Sequence, residues 1–224
     1  MSTIQSIDTP CAACGASLCV PLATNVNAQR RPDHRASILD GSLQALSCPA
    51  CGAANRVEPE LSYLDQPRGQ WILVEPYGRR GEWAALEEAA VAIFTLHFGP
   101  QAPPAAAAIG EELEPRVVFG WSALREKLLC RDAEVDEASL ELLKLVTLRA
   151  RGGPLSDDLE LRLVLADADG LELAWIEEPA ELEQERLRLP RALLAELEGP
   201  AWDELRDTLN AGLYLDLHRL VLPA

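Results

Sequence analysis

Residues 159–165 alternate apolar and charged side chains with a period of two, as Leu159-Glu160-Leu161-Arg162-Leu163 and on through Val164 and Leu165. After Asp167-Ala168-Asp169-Gly170 the alternation resumes as Leu171-Glu172-Leu173-Ala174-Trp175. Such alternation marks strands with one buried face, and Asp-Gly between two of them marks a hairpin turn. Residues 82–98 follow another rhythm. Trp83, Leu86, Ala90, Ile93, Phe94 and His97 recur at i, i+3, i+4 spacing, which predicts a helix with His97 on its apolar face, as a core histidine. Shorter apolar runs predict strands at 18–21, 42–47 and 71–74, and an extended piece across 57–64. Pro32 opens a helix that buries Ile38 and Leu39 and stops at Gly41.

The second half begins with a strand over 116–119. A helix follows from Ser122 with Leu124, Leu128 and Leu129 on one face, then another capped by Asp136 in which Leu140, Leu143 and Val146 face one way. A short helix is expected over 190–198 and a last strand within 212–222. Between the halves, Gly99-Pro100-Gln101-Ala102-Pro103-Pro104 and the four alanines after it show no hydrophobic period. Residues 99–115 are therefore expected to form an Ala/Pro-rich linker or long loop between an N-terminal region, 1–98, and a C-terminal α+β region, 116–224. No self-similar period of the solenoid or propeller kind is present.

Charge narrows the function classes. The chain has 224 residues and a net charge of −16. Residues 1–70 are close to balance, so almost all of the excess lies beyond them. A surface this acidic repels the phosphate backbone whose attraction to Lys and Arg drives non-specific nucleic-acid binding. Only the cluster Arg30, Arg31 and Arg35 favours such a ligand. The most apolar stretch, 83–98, is short and broken by Glu87 and Glu88, which argues against a membrane span. Residues 1–10 carry no secretory pattern, and a cytoplasmic location is expected.

Six cysteines in such a compartment point to thiolate chemistry rather than disulfides. Four of them form two knuckles, Cys11-Ala12-Ala13-Cys14-Gly15 and Cys48-Pro49-Ala50-Cys51-Gly52. Two intervening residues let one tight turn aim both sulfurs at one ion. Glycine after the second thiol frees the backbone so that amides can approach the sulfurs. Two knuckles together offer four thiolates, a closed tetrahedral set that leaves no open coordination position. Cys48-Pro49-Ala50-Cys51 alone resembles the redox motif of glutaredoxin-like proteins, but a redox pair needs no second knuckle and should open a helix, which 52–56 does poorly. Zinc suits the set best, with a rubredoxin-type iron as the alternative; few aromatics lie nearby to shield an iron.

The remaining chemistry-bearing residues have plainer explanations. Cys19 and Cys130 are expected as buried small hydrophobes. His34, beside the arginines, is expected at a solvated helix start, with an anion-binding loop as the alternative. His218 shows no ligand spacing. Carboxylate pairs such as Asp157/Asp158 and Glu177/Glu178 are expected on solvated faces. Asp167-Ala168-Asp169-Gly170 lacks the later ligands of a calcium loop. No phosphate-binding or nucleophile-elbow motif is present, so no enzymatic reaction is indicated.

The stretches "CAACG", "TNVNAQRRPDHRASILDGSLQALSCPACG" and "LSYLDQPRGQWILVEP" resemble the CpXC family of prokaryotic proteins, named for its paired cysteine motifs. Val26-Asn27, Ile38-Leu39-x-Gly41 and Tyr63-x-Asp65 fall where that family's pattern puts them; Ala12 stands where many members have Pro. Residues 117–145 are similar to the region that follows this domain in longer members. The resemblance implies that Cys11, Cys14, Cys48 and Cys51 ligate a metal, and it implies no particular reaction. The expected fold class is thus α+β: a zinc ribbon-like N-terminal part with short strands and a helix between the knuckles, then a C-terminal part with a β-hairpin and several helices. The expected function is a zinc-binding structural or protein-interaction module with a protein partner. A nucleic-acid-associated ribbon and a rubredoxin-like electron carrier are the alternatives.

Overall fold

The computed structural model describes residues 3–152 and 158–221, and its fold is mixed α+β. Strand β1 (Thr3–Pro10) turns through the first knuckle into β2 (Ser17–Asn27), its antiparallel partner. Helix α1 (Pro32–Leu39) begins at the expected proline and leads to β3 (Ala45–Ser47). The second knuckle turns β3 into β4 (Ala54–Arg56). Strands β5 (Leu61–Asp65) and β6 (Gln70–Glu75) form a hairpin, and β5 lies parallel to the end of β2. Helices α2 (Trp83–Phe98) and α3 (Pro104–Gly110) make the crossover to β7 (Glu114–Phe119), which runs parallel to β6. The five-stranded sheet has the order β1-β2-β5-β6-β7. Beyond it come α4 (Gly120–Asp132), α5 (Glu137–Arg151), and an antiparallel sheet of β8 (Leu159–Ala166), β9 (Gly170–Glu177) and β10 (Leu182–Pro190). Helices α6 (Leu193–Glu196) and α7 (Asp203–Leu209) follow.

Burial explains this order. One face of the large sheet packs Val26, Tyr63, Ile72 and Val74 against Ile38 of α1 and Leu124 and Leu128 of α4. The other face packs Trp71 and Val117 against Trp83, Leu86 and Ala90 of α2. The third core joins Leu140, Leu142 and Leu143 of α5 to the inward leucines of β8 and β9. The hairpin expected over 159–175 is borne out: Asp167 Oδ1 accepts from the amides of Asp169 and Gly170, which closes the turn. Its expected one-sided burial is not, since Glu160 and Arg162 are buried together with Leu161 and Leu163 while Leu165 is exposed. Asp136 caps α5 as expected, accepting from the Ser139 amide at 2.7 Å.

Several expectations need correction. Residues 99–115 contain α3 and lead directly into β7, whose ladder to β6 places that strand in the same sheet as β1 and β2. Alanine favours helix once Pro104 has set the first turn, so a lack of hydrophobic period did not mean a lack of structure. Among the described residues, 212–221 hold no strand; Leu217–Leu220 form a 3₁₀ turn capped by Asp216. Strand β10 adds to the expected elements: Leu187 and Leu189 alternate with Arg186 and Arg188 and pack against the third core, and the ladder to β9 sets its register. Helix α2 buries its first turns only. Val91, Ile93 and Leu96 are exposed, and so is His97, which is no core histidine. His34 is buried rather than solvated, and burial followed by the Arg31 charge lowers its pKa. Cys19 is exposed on β2, and Cys130 is buried as expected. Of the carboxylate pairs, Asp157 lies outside the described residues, and Asp158 and Glu177 are exposed. Glu178 is 4% exposed and accepts a hydrogen bond from the Ser122 hydroxyl.

The largest departure from a solvated acidic exterior lies between α4, α5 and β8. Glu126, Lys127, Glu141, Lys144, Glu160, Arg162 and Asp216 are all buried there. Lys144 Nζ reaches Glu126 at 2.5 Å and Glu141 at 2.8 Å, and Arg162 binds Glu126 at 3.1 Å and Asp216 at 2.8 Å. Arg162 also pairs with Glu160, which pairs with Arg80. Leftover acceptors are used by the backbone: Glu126 takes the Leu163 amide at 2.6 Å and Glu141 the Leu217 amide at 3.0 Å. Burial opposes ionisation of Glu126, but Lys144, Arg162 and Lys127 outweigh it and lower its pKa. Each charge is therefore matched in the manner that makes a buried charge tolerable.

Candidate metal centre

The two knuckles are the tips of two hairpins, β1–β2 and β3–β4, and their backbones repeat each other. In the first, the Cys11 amide bonds to the Ala16 carbonyl at 2.8 Å and the Gly15 amide to the Cys11 carbonyl at 2.9 Å. In the second, the Cys48 amide bonds to the Ala53 carbonyl and the Gly52 amide to the Cys48 carbonyl, both at 2.8 Å. Gly15 and Gly52 close these turns at φ +73° and +75°. A Cβ would meet no neighbour at either position, so it is the left-handed backbone, and not crowding, that calls for glycine there.

Cys11, Cys14, Cys48 and Cys51 converge, with one ligand atom from each lying within 4.8 Å of every other. Across the hairpins, Cys11 Sγ is 3.8 Å from Cys51 Sγ and Cys14 Sγ is 3.7 Å from Cys48 Sγ. These are not bonded sulfurs; all six cysteines are free thiols. A zinc–sulfur bond of about 2.3 Å in tetrahedral geometry puts neighbouring sulfurs roughly 3.8 Å apart. The donor set and its spacing thus fit a metal ion. The first cysteine of each knuckle is buried and the second is exposed, so the cluster lies at the surface with part of it facing water. Its inner side is aliphatic, with Leu18 and Val20 buried and Ile7, Ala16, Leu46, Ala53 and Val57 around them.

Two of the thiols, Cys11 and Cys51, are shifted in opposite directions. The Cys11 thiol is lowered to about 6, first by the Ala13 amide and then by the Cys14 amide, with the Asn55 side chain adding to them. At Cys51 the Ala53 amide also lowers the pKa, but the Cys14 sulfur, burial and the other two sulfurs raise it to about 12. The amides around Cys11 favour its thiolate, while the neighbouring sulfurs and burial favour the thiol form of Cys51.

Spacing located all four thiols but not Asn55. This residue lies on β4, opposite Leu46 of β3. Its Oδ1 accepts from the Ala12 amide at 3.0 Å, and its Nδ2 faces the Ala53 carbonyl at 2.9 Å and Cys11 Sγ at 3.5 Å. No local pattern marks a side chain that reaches from one hairpin to the other. Residue 56 continues the connection outward. Arg56 lies over the Trp121 ring at 4.3 Å and pairs with Glu181, which also binds Arg125.

The basic cluster is internally satisfied in large part. Arg31 binds Asp33 at 2.6 Å, and Arg35 binds Asp132 at 2.6 Å while approaching Asp65 at 3.4 Å. Among the described residues, no helix is long and apolar enough to cross a membrane.

The sequence model of the CpXC family, described as CpXC protein, matches residues 9–144, which include both knuckles and run from the end of β1 into α5. The chain belongs to the CpXC family. No curated protein and no solved structure matches it significantly.

Proposed function

We propose that Cys11, Cys14, Cys48 and Cys51 hold one zinc ion, and that the chain acts as a non-enzymatic module presenting a zinc-braced surface to a protein partner. The observation that carries the metal assignment is the convergence of four sulfurs from two hairpin tips, all within 4.8 Å of one another and with the pairs Cys11–Cys51 and Cys14–Cys48 at 3.8 and 3.7 Å. When bound, zinc supplies a cross-link between the two hairpins and, with four protein ligands, no open position for substrate. The aliphatic and half-open surroundings favour zinc over iron, since an electron-carrying iron is better served by a shielded site. Thiolate ligation suits a reducing compartment, and the cytoplasm is the proposed location.

The nucleic-acid alternative loses its main support in the pairing of Arg31 and Arg35 with carboxylates. Metal analysis of the purified chain tests the central reading. One zinc per chain and a colourless solution are expected, whereas visible absorption with stoichiometric iron would move the assignment to an electron carrier. Less than one equivalent of either metal would remove the proposal.

A further inference from the structure

We propose that Asn55 is a positioning residue for the thiolate cluster: it ties the two knuckles together and supplies one side-chain N–H to Cys11 Sγ. This deepens the metal-binding reading and rests on it. The orientation of the Asn55 amide follows from its neighbours. The Ala12 amide can only donate and the Ala53 carbonyl can only accept, so Oδ1 must face Ala12 and Nδ2 must face Ala53. One Nδ2 hydrogen then goes to Ala53, and the other is left for the sulfur at 3.5 Å. Among the described residues, Cys11 is the one cysteine of the four whose sulfur meets a side-chain amide donor.

Two consequences follow from this geometry. The Ala12 bond, 43 residues apart in sequence, ties the first knuckle directly to β4 and so fixes the two hairpin tips relative to each other. The N–H at Cys11 draws charge from a thiolate that must share one dication with three others. Four thiolates around Zn²⁺ leave a net charge of −2, and donors to sulfur offset that excess. The position is equally informative for what it excludes. Asn55 is not a ligand: its only nitrogen near sulfur is an amide donor without a free pair for a metal.

Asn55→Asp separates these roles from mere packing. The variant is close to isosteric and keeps an oxygen for the Ala12 amide, but it turns a second carboxylate oxygen toward Cys11 Sγ in place of the N–H. Cobalt(II) is the probe, titrated into the full metal-free chain against a competing chelator while the thiolate-to-cobalt charge-transfer band is followed. Asn55→Asp is expected to bind cobalt roughly 10- to 100-fold more weakly than the parent, the usual cost of losing such a support. Its charge-transfer band should move to lower energy, because an unsupported thiolate gives up its electron more easily. Asn55→Ala, which loses the donor without gaining charge, should fall between the two. Unchanged affinity and band position in Asn55→Asp would overturn the role of Asn55 while leaving the four-cysteine site intact. Absence of cobalt binding in the parent chain would instead overturn the metal reading itself.

Discussion

Two parts of the molecule keep polar groups from water in opposite ways. At the hairpin tips, Cys11 and Cys48 are buried beside only Leu18 and Val20, with a thin aliphatic surround. That core is small, and four sulfurs converge on it within 4.8 Å of one another. Between α4, α5 and β8 the setting is reversed: a broad leucine core encloses charged residues that pair with one another and with backbone groups of the same chain. On the proposed reading the first region is completed by a metal ion, whereas the second is completed by distant parts of its own chain. The family match stops at residue 144, inside this second region. Glu126, Glu141 and Lys144 lie within the match, whereas Glu160, Arg162 and Asp216, which complete their pairing, lie outside it.

Removal of the ion should give the largest effect and keep it local. Structural zinc contributes on the order of 10 kcal/mol in small zinc-dependent folds. Cys48→Ser, or chelation of the parent, is expected to expose the amides of Cys11, Gly15, Cys48 and Gly52 to hydrogen exchange while β8, β9 and β10 stay protected. Equal loss of protection in both regions would show that the two are one cooperative unit and break the contrast.

The ionic region should respond to a different cut. Glu126→Gln leaves Lys144 and Arg162 short of a partner in a buried site, a change that costs about 3–5 kcal/mol. Urea unfolding should show this loss with metal content unchanged. Replacing the pair together, Glu126→Leu with Lys144→Met, should cost less than the single change, because no charge is then stranded.

A third test uses pH. Burial raises Glu178 to about 7; Glu160 and Glu181 add to the rise, and the Ser122 hydroxyl and Arg162 oppose it. The folded state therefore holds this proton more tightly than the unfolded chain, whose ordinary value is 4.5. Its contribution is complete below pH 4.5 and is lost as pH rises toward 7, a change of about 3 kcal/mol for a shift of this size. Glu178→Gln should flatten that part of the stability profile, and a slope identical to the parent's would contradict the assignment. The smallest effect is expected at α5, where Asp136→Ala removes an N-cap worth about 1 kcal/mol by thermal unfolding.

What could be read in the sequence follows the same division. The knuckles repeat a five-residue pattern whose spacing, glycine and chemistry all point to one structure, and both turned out as hairpin tips with matching hydrogen bonds. The β8–β9 hairpin was equally plain, since alternation and its turn lie within one short stretch. The ionic core was not, because Glu126 meets Arg162 across 36 residues and Arg162 meets Asp216 across 54. One clue was present. Glu141 and Lys144 interrupt Leu140-Glu141-Leu142-Leu143-Lys144-Leu145, and charges set in so apolar a run belong to a face that faces inward. Asn55 left no such trace, because its meaning depends on a second hairpin 43 residues earlier.

The most direct test of the zinc-braced ribbon is native mass spectrometry of the intact chain combined with mild thiol alkylation. One bound zinc is predicted. Exposed Cys19 should be modified first, and Cys11, Cys14, Cys48 and Cys51 should become reactive together only when the ion is withdrawn. A metal-free chain whose exposed Cys14 and Cys51 react as fast as Cys19 would contradict the account.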